Sequence, residues 1–257
     1  MPVSAKKFAR SVSLFFPALR QRRVAAQLAL IGWTRRPWRP VEAVGGLVGA
    51  DPVIVDVGAS RGLSVASMLM MKPAARIVAF EPIKDLADAL RARFQGRGDV
   101  RVFGCALSDS DDVMTIHVPV YRGCVMDTLA ALRREDAADW INPERVYWFD
   151  PRELTVKPQR VDVLRLDDLN LAPDILKIYA QSHEPEVIAG AEQTIRRHAP
   201  AIMAPARIPR IDASLRDLGY ARFAFRDNTF QAEGEGDYTS WYLRPEHRDR
   251  FIYPWRK

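Results

Sequence analysis

Residues 56–62 read Asp-Val-Gly-Ala-Ser-Arg-Gly, directly after the β-branched run Val53-Ile54-Val55. Glycine at 58 and 62 strips side chains from a turn. Ligand atoms can then approach the backbone, and amides at the start of a following helix can meet polar ligand atoms. Two ligand classes use such a turn. A dinucleotide pyrophosphate asks for G-x-G-x-x-G. Here Asp56 stands where that pattern has its first glycine, and a carboxylate repels a pyrophosphate. It suits a ligand that carries an ammonium group. Glu81 ends the next apolar run, and a carboxylate there can accept hydrogen bonds from both hydroxyls of a ribose. Both ligand classes contain ribose, so Glu81 supports a nucleoside without choosing between them. The plainer alternative is that Asp56 and Glu81 only cap helices at an unused sheet edge.

The elements that must hold these residues follow from patterning. Residues 53–57 are nearly all apolar and β-branched, as in a parallel strand buried on both faces. A helix over 63–71 stops at Pro73. A second strand covers 76–80, a helix 85–94, and a third strand 100–106. This alternation predicts a right-handed parallel sheet. The middle of the chain is less regular, with a hairpin strand expected over 114–118, a helix over 127–140 and a strand over 160–166. Then come a strand at 175–180, one helix at 185–198, a strand at 201–203, a helix at 211–218, and a closing pair of strands at 223–225 and 239–243.

Several of these stretches carry motifs in a fixed order: VIVDVGASRG, VAFEP (78–82), ALSD (106–109), RLDDL (165–169), LKI (176–178) and PEVIAGAE (185–192). In this the chain resembles the FkbM-type S-adenosylmethionine-dependent methyltransferases over about residues 52–205. The resemblance implies an α/β fold, a seven-stranded Rossmann-like class I methyltransferase sheet with helices on both faces and its last strand antiparallel. It implies S-adenosyl-L-methionine as cofactor. The methionine end would lie near Asp56, Gly58, Ser60 and Gly62, and the ribose at Glu81. The adenine would lie near Ala106, Leu107, Ser108 and Asp109, with Phe80 and Pro82 lining the site. Ser108 and Asp109 have the alternative of capping a turn, and Asp167-Asp168 that of a solvated strand end.

The family pattern LKIDVEGAE becomes LKIYAQSHE at 176–184. Tyr179 and Gln181 stand where the family has Asp and Glu, and Ser182 and His183 where it has Gly and Ala. The next strand end, 203–206, has no acid where the family commonly has Glu. Methyl transfer is an in-line displacement in which positioning supplies much of the rate. A hydroxyl acceptor also gains from a base, typically about 10²–10⁴-fold. His183 beside Glu184 is the candidate base, Lys177 an orienting cation, and Tyr179 a hydrogen-bonding wall of the acceptor site. The competing expectation is that Ser182 caps the following helix and His183 points to solvent.

Composition sets outer bounds. The 257 residues carry a net charge of +6 and are 48% apolar, which excludes wholesale disorder. Residues 1–40 hold nine basic residues and no acid, whereas 41–243 hold 24 basic and 30 acidic. We therefore expect a basic helical segment over 1–40 and a methyltransferase-like domain over 41–257, with no nucleic-acid partner. The 1–40 segment reads either as a surface for anionic membrane or as a helical lid packed on the core. No apolar run suits a spanning helix, and two cysteines make no disulfide framework or metal site. The expected setting is cytoplasmic, peripheral at a membrane if 1–40 binds one. The leading function is O-methylation of a sugar, glycolipid or related hydroxyl. The alternatives are a non-catalytic donor-binding or partner protein on a degenerate fold, and a nicotinamide oxidoreductase, against which Asp56 argues.

Overall fold

The computed structural model describes residues 7, 8, 11, 12, 14, 17–206, 208–234, 236 and 239–252. Expectations that rest on Lys6, Arg10, Phe15, Arg256 and Lys257, or on the side chains of 17–24, lie outside what is described. The chain divides into two compact units: residues 1–29 with 113–161, and residues 30–112 with 162–257.

Helix α1 (Pro17–Thr34) starts at a proline, whose fixed φ and missing N–H suit a first helical position. It begins in the smaller unit and ends in the larger. A short helix α2 (Val44–Leu47) follows. The expected alternation then appears as β1 (Val53–Val57), α3 (Leu63–Met71), β2 (Arg76–Phe80), α4 (Lys84–Arg93), β3 (Val100–Phe103) and β4 (Ala106–Leu107). The third predicted strand is thus two pieces. Ala106 and Leu107 leave β3 and pair in parallel with Val163 and Leu164.

The smaller unit is built on β5 (Asp112–Tyr121), β6 (Cys124–Val125), α5 (Arg134–Asp139) and the first part of β7 (Leu154–Leu164). Arg122 and Gly123, both with positive φ, make the tight β5–β6 hairpin. Its core gathers Leu14, Tyr121, Cys124, Met126, Ile141 and Val146. The helix predicted over 127–140 does not form as one piece. Ala131 instead makes a two-way bridge to His117, with N···O distances of 2.7 and 3.0 Å, which draws that stretch into extended backbone.

The larger unit resumes with β8 (Ile175–Ile178), α6 (Glu184–Ala189), α7 (Glu192–His198), β9 (Ala201–Pro205), α8 (Pro209–Asp217), β10 (Ala221–Arg226), β11 (Thr229–Ala232), β12 (Thr239–Leu243) and α9 (Pro245–Arg250). Its sheet runs β11-β10-β12-β9-β8-β1-β2-β3, parallel from β9 to β3 and antiparallel at β12, β10 and β11. Eight strands replace the expected seven. Asp227 and Asn228 both take positive φ and fold Thr229–Ala232 back onto β10 as an added edge hairpin.

Both faces of this sheet are covered. Val55 and Val57 pack with Val187, Ile188, Ile195, Ile211 and Leu215 from α6, α7 and α8. Ile54, Ile77 and Ala79 pack on the other side with Val44, Val65, Met68 and Leu90 from α2, α3 and α4. The parallel strands end on one edge, and β1 lies between β2 and β8 at the point where the winding reverses. Open α/β sheets bind ligands at that place.

Candidate functional site

Three strand ends meet at this switch point. After β1 the chain turns through Gly58, with φ +72°, Ser60, with φ +49°, and Gly62, with φ +81°. Gly58 and Ala59 donate N–H bonds to the Phe80 carbonyl at 2.9 and 3.1 Å, which fastens the turn to the end of β2. A Cβ at Gly58 would collide with the Tyr179 carbonyl oxygen, so the turn also presses against the end of β8. Glycine is therefore required at 58 by φ and by space together.

Asp56 is fully buried on β1. Its Oδ1 accepts from Lys177 Nζ at 2.6 Å and its Oδ2 from Ser64 Oγ at 2.5 Å. The same ammonium donates to the carbonyls of Gly58 at 2.9 Å and Val57 at 3.2 Å. All three of its protons are thus placed. The sequence assigns Asp56 to a ligand ammonium and Lys177 to the acceptor. The structure gives them to each other, because each buried charge needs a partner and the adjacent parallel strands supply it. The pair sits behind the turn and fixes its carbonyls. Ser64, the second residue of α3, carries no motif that marks it as a site residue. Its only sequence signal is a hydroxyl in the first helical turn after the glycines.

Glu81 is also buried, 4% exposed. Its Oε2 accepts from the Ser60 amide at 2.8 Å and its Oε1 from the Ile83 amide at 3.0 Å. One carboxylate thereby joins the glycine turn to the start of α4. A carboxylate is the acceptor type that a ribose diol asks for. The donor residues thus fit S-adenosylmethionine as a backbone cradle with Glu81 beside it.

Residues Ala106 and Leu107 form β4, and Ser108 and Asp109 follow it. Ser108 is buried and Asp109 exposed. Ser108 Oγ donates to Asp109 Oδ1 at 3.1 Å and lies 2.9 Å from His183 Nε2. His183 Nδ1 lies 3.4 Å from Glu186 Oε2, and Arg210 pairs with Glu186 Oε1 at 3.0 Å. The expectation that His183 points to solvent fails. Its side chain is 12% exposed, and it is drawn inward by Ser108 and Glu186. Burial holds its imidazolium below the usual pKa of histidine, against the pull of Glu186 and Asp109.

The loop after β8 is irregular. Gln181, φ +53°, and Ser182, φ +74°, are consecutive left-handed residues without being glycine, and both are exposed. Ser182 does not cap α6; His183 occupies that position without a side-chain cap. Glu184, the first residue of α6, instead reaches back to the loop before the helix. Its Oε1 accepts from the Ala180 amide at 2.8 Å, while its Oε2 has no hydrogen-bond partner among the described residues. Glu184 is 1% exposed, and burial raises its pKa above the usual carboxylate range. It was missed as a candidate, although it is the acid that survives from the family motif. Tyr179 sits with its ring 5.2 Å from Lys177 Nζ, and burial, with Glu184 nearby, pushes its phenol pKa well up. It stays protonated at neutral pH. Asp167, thought a solvated strand end, instead caps α7 by accepting from the amides of Thr194 at 2.8 Å and Gln193 at 3.2 Å.

A family profile described as the methyltransferase FkbM domain matches residues 56–222. The 2-O-methyltransferase NoeI of Sinorhizobium fredii is 25% identical over 152 residues, 57% of this chain. The chain spans about 60% of the length of that relative. Among solved structures, a methyltransferase FkbM from Methylobacillus flagellatus aligns with TM-score 0.47 and 18% identity, over 76% of this chain and 44% of that one. A fibrillarin from Aeropyrum pernix with natively bound S-adenosylmethionine aligns with TM-score 0.41 and 12% identity, over 77% of this chain and 68% of that one.

Proposed function

The chain belongs to the FkbM methyltransferase family, and from that premise we propose that it moves a methyl group from S-adenosyl-L-methionine to a hydroxyl of a sugar, glycolipid or related small molecule. The observation that carries the donor assignment is the cradle of Gly58, Ser60 and Gly62 locked to Glu81 at the switch point of the sheet.

When bound, the donor supplies an electrophilic methyl group on a sulfonium. The chain's own residues do the rest. The side-chain-free surface of the glycine turn and Glu81 orient the donor, and the Asp56–Lys177 pair keeps the turn rigid behind it. Ser108 and Asp109 stand on the adenine side. Tyr179, a neutral phenol, walls the acceptor side. His183 is the group whose basicity suits an acceptor hydroxyl. Burial lowers its pKa, so it is uncharged at neutral pH; Nδ1 lies 3.4 Å from Glu186 and Nε2 2.9 Å from Ser108 Oγ. The 1–40 segment is proposed as an attachment to anionic membrane.

The purified chain, incubated with S-adenosylmethionine and a lipid or carbohydrate extract, should release S-adenosylhomocysteine in many turnovers. His183→Ala should lower that turnover by about 10²–10⁴-fold. A loss below about threefold removes His183 from the chemistry, since general bases contribute far more.

A second reading has its own observation. No acid stands at Tyr179, Gln181 or 203–206, and the buried carboxyl of Glu184 is spent on the Ala180 amide. A donor-binding protein without turnover would look this way. Tyr179→Asp with Gln181→Glu, creating methyl transfer where the native chain has none, would establish it.

A further inference from the structure

The smaller unit has a feature that methyl transfer does not use. Residues 1–29 and 113–161 together hold 13 basic and seven acidic residues, a surplus equal to the net charge of the whole chain. The larger unit is balanced, at 25 of each. The surplus comes from residues 1–29, where six basic residues meet no acid.

The same unit displays aromatic side chains. Trp148 is 67% exposed, Phe8 55% and Trp140 41%. Trp148 takes φ +54°, a left-handed backbone that bulky residues rarely adopt, so the fold holds this exposed ring at some cost. The basic segment and the aromatic stretch are joined. Ser11 Oγ accepts from the Tyr147 amide at 2.8 Å, Lys7 Nζ lies 4.4 Å from the centre of the Tyr147 ring, and the Tyr147 and Trp148 rings are 5.8 Å apart. Leu14 is buried beside Ile141 and Val146. Arg145 stacks over Trp140 at 4.1 Å. Cations and amphipathic rings are therefore interleaved in one unit.

We propose that Lys7 and Phe8 together with residues 140–148 form one interfacial surface for anionic lipid, in which the tryptophans enter the headgroup region and the basic residues meet lipid phosphates. The charge settles the choice of partner. A surplus of cations attracts an anionic surface, and tryptophan prefers the membrane–water boundary, where its ring is apolar on one side and wet on the other. No helix among the described residues is long and apolar enough to cross a membrane, so contact at the interface is the mode that fits. This rests on the proposed attachment of residues 1–40 and goes further by bringing in the 113–161 segment, which lies far away in the sequence.

The test is co-flotation of the full chain with phosphatidylcholine vesicles, plain or holding about a quarter phosphatidylglycerol. The native chain should float with the anionic vesicles only and come off as salt is raised. The Trp140→Ala, Trp148→Ala double variant should lose at least about tenfold in partitioning, since two interfacial rings are removed while every charge stays. Trp148→Ala alone guards against misfolding, because that ring is largely exposed. Brominated acyl chains should quench the native fluorescence and quench that variant less. If the native chain floats and the tryptophan variants float equally well, the aromatic surface is wrong and attachment by 1–40 stands. If the native chain does not float on anionic vesicles, both fail.

Discussion

The ends of β1 and β8 lie side by side, and they are built in opposite ways. At the β1 end every polar group named here has a partner. Asp56 holds Lys177 and Ser64, Lys177 holds two carbonyls, and Glu81 ties the Ser60 and Ile83 amides. Positive φ falls on two glycines and one small serine. At the β8 end, positive φ falls on Gln181 and Ser182, Glu184 Oε2 has no hydrogen-bond partner among the described residues, and His183 is turned aside to Ser108. One end is satisfied and holds a single left-handed non-glycine residue; the other holds two in a row. The satisfied end is the one proposed above to hold the methyl donor. The β8 end is where this chain departs from the family pattern, as expected of the part that selects an acceptor.

The comparison breaks most directly at the ion pair. Asp56→Ala leaves Lys177 buried without its counter-charge, and removing one partner of a buried pair costs about 3–5 kcal/mol. Denaturant unfolding should show that loss as a lower midpoint with an unchanged slope. A loss near 1 kcal/mol would mean that water reaches the pair. Gly58→Ala should cost somewhat less, about 1–3 kcal/mol, because the chain must move Tyr179 away from the new Cβ and accept a strained φ.

Acid should act through the β8 end. Burial lowers the pKa of His183, and also of His247, which lies 2.8 Å from the Ala199 carbonyl. The unfolded chain then binds protons more readily than the folded one. Their contribution is complete above the unfolded histidine pKa of about 6.5 and is lost as pH falls toward the folded values. Thermal midpoints measured downward from neutrality should decline over that range. His183→Gln should flatten part of the decline. Glu184 has the opposite sign, since its raised pKa favours the folded state while protonated, and that contribution fades as pH rises through its folded value.

The smallest effect is also the sharpest contrast. Ser182→Gly relieves an exposed left-handed residue and should stabilise the fold by about 1 kcal/mol. If unfolding shows no gain, the β8 loop is not strained and the contrast with the β1 end narrows.

Much of the donor half was legible in the sequence because its signals are local. The strands at 53–57 and 76–80 and the helix at 63–71 fall where periodicity puts them. Long-range contacts defeat the same reasoning elsewhere. The helix expected over 185–198 breaks at Gly190, which packs on the Ser108 carbonyl with no room for a Cβ, and Asp167 caps a new helix behind it. The helix expected over 127–140 yields to the bridge between Ala131 and His117. Residue type singled out Asp56, Lys177 and Glu81 as candidates, but not that the first two neutralise each other, since 121 positions separate them. Nor does the sequence announce the contact between His183 and Ser108 across 75 positions.

The central claim is that the locked turn and Glu81 bind the methyl donor. Calorimetric titration with S-adenosylhomocysteine tests it, with the native chain and Glu81→Ala measured side by side. The native chain should bind one equivalent. The variant should bind about 10- to 150-fold more weakly, the loss of hydrogen bonds from the ribose to a charged acceptor worth roughly 1.5–3 kcal/mol. Equal affinity in the two proteins, or no binding by the native chain, would contradict it.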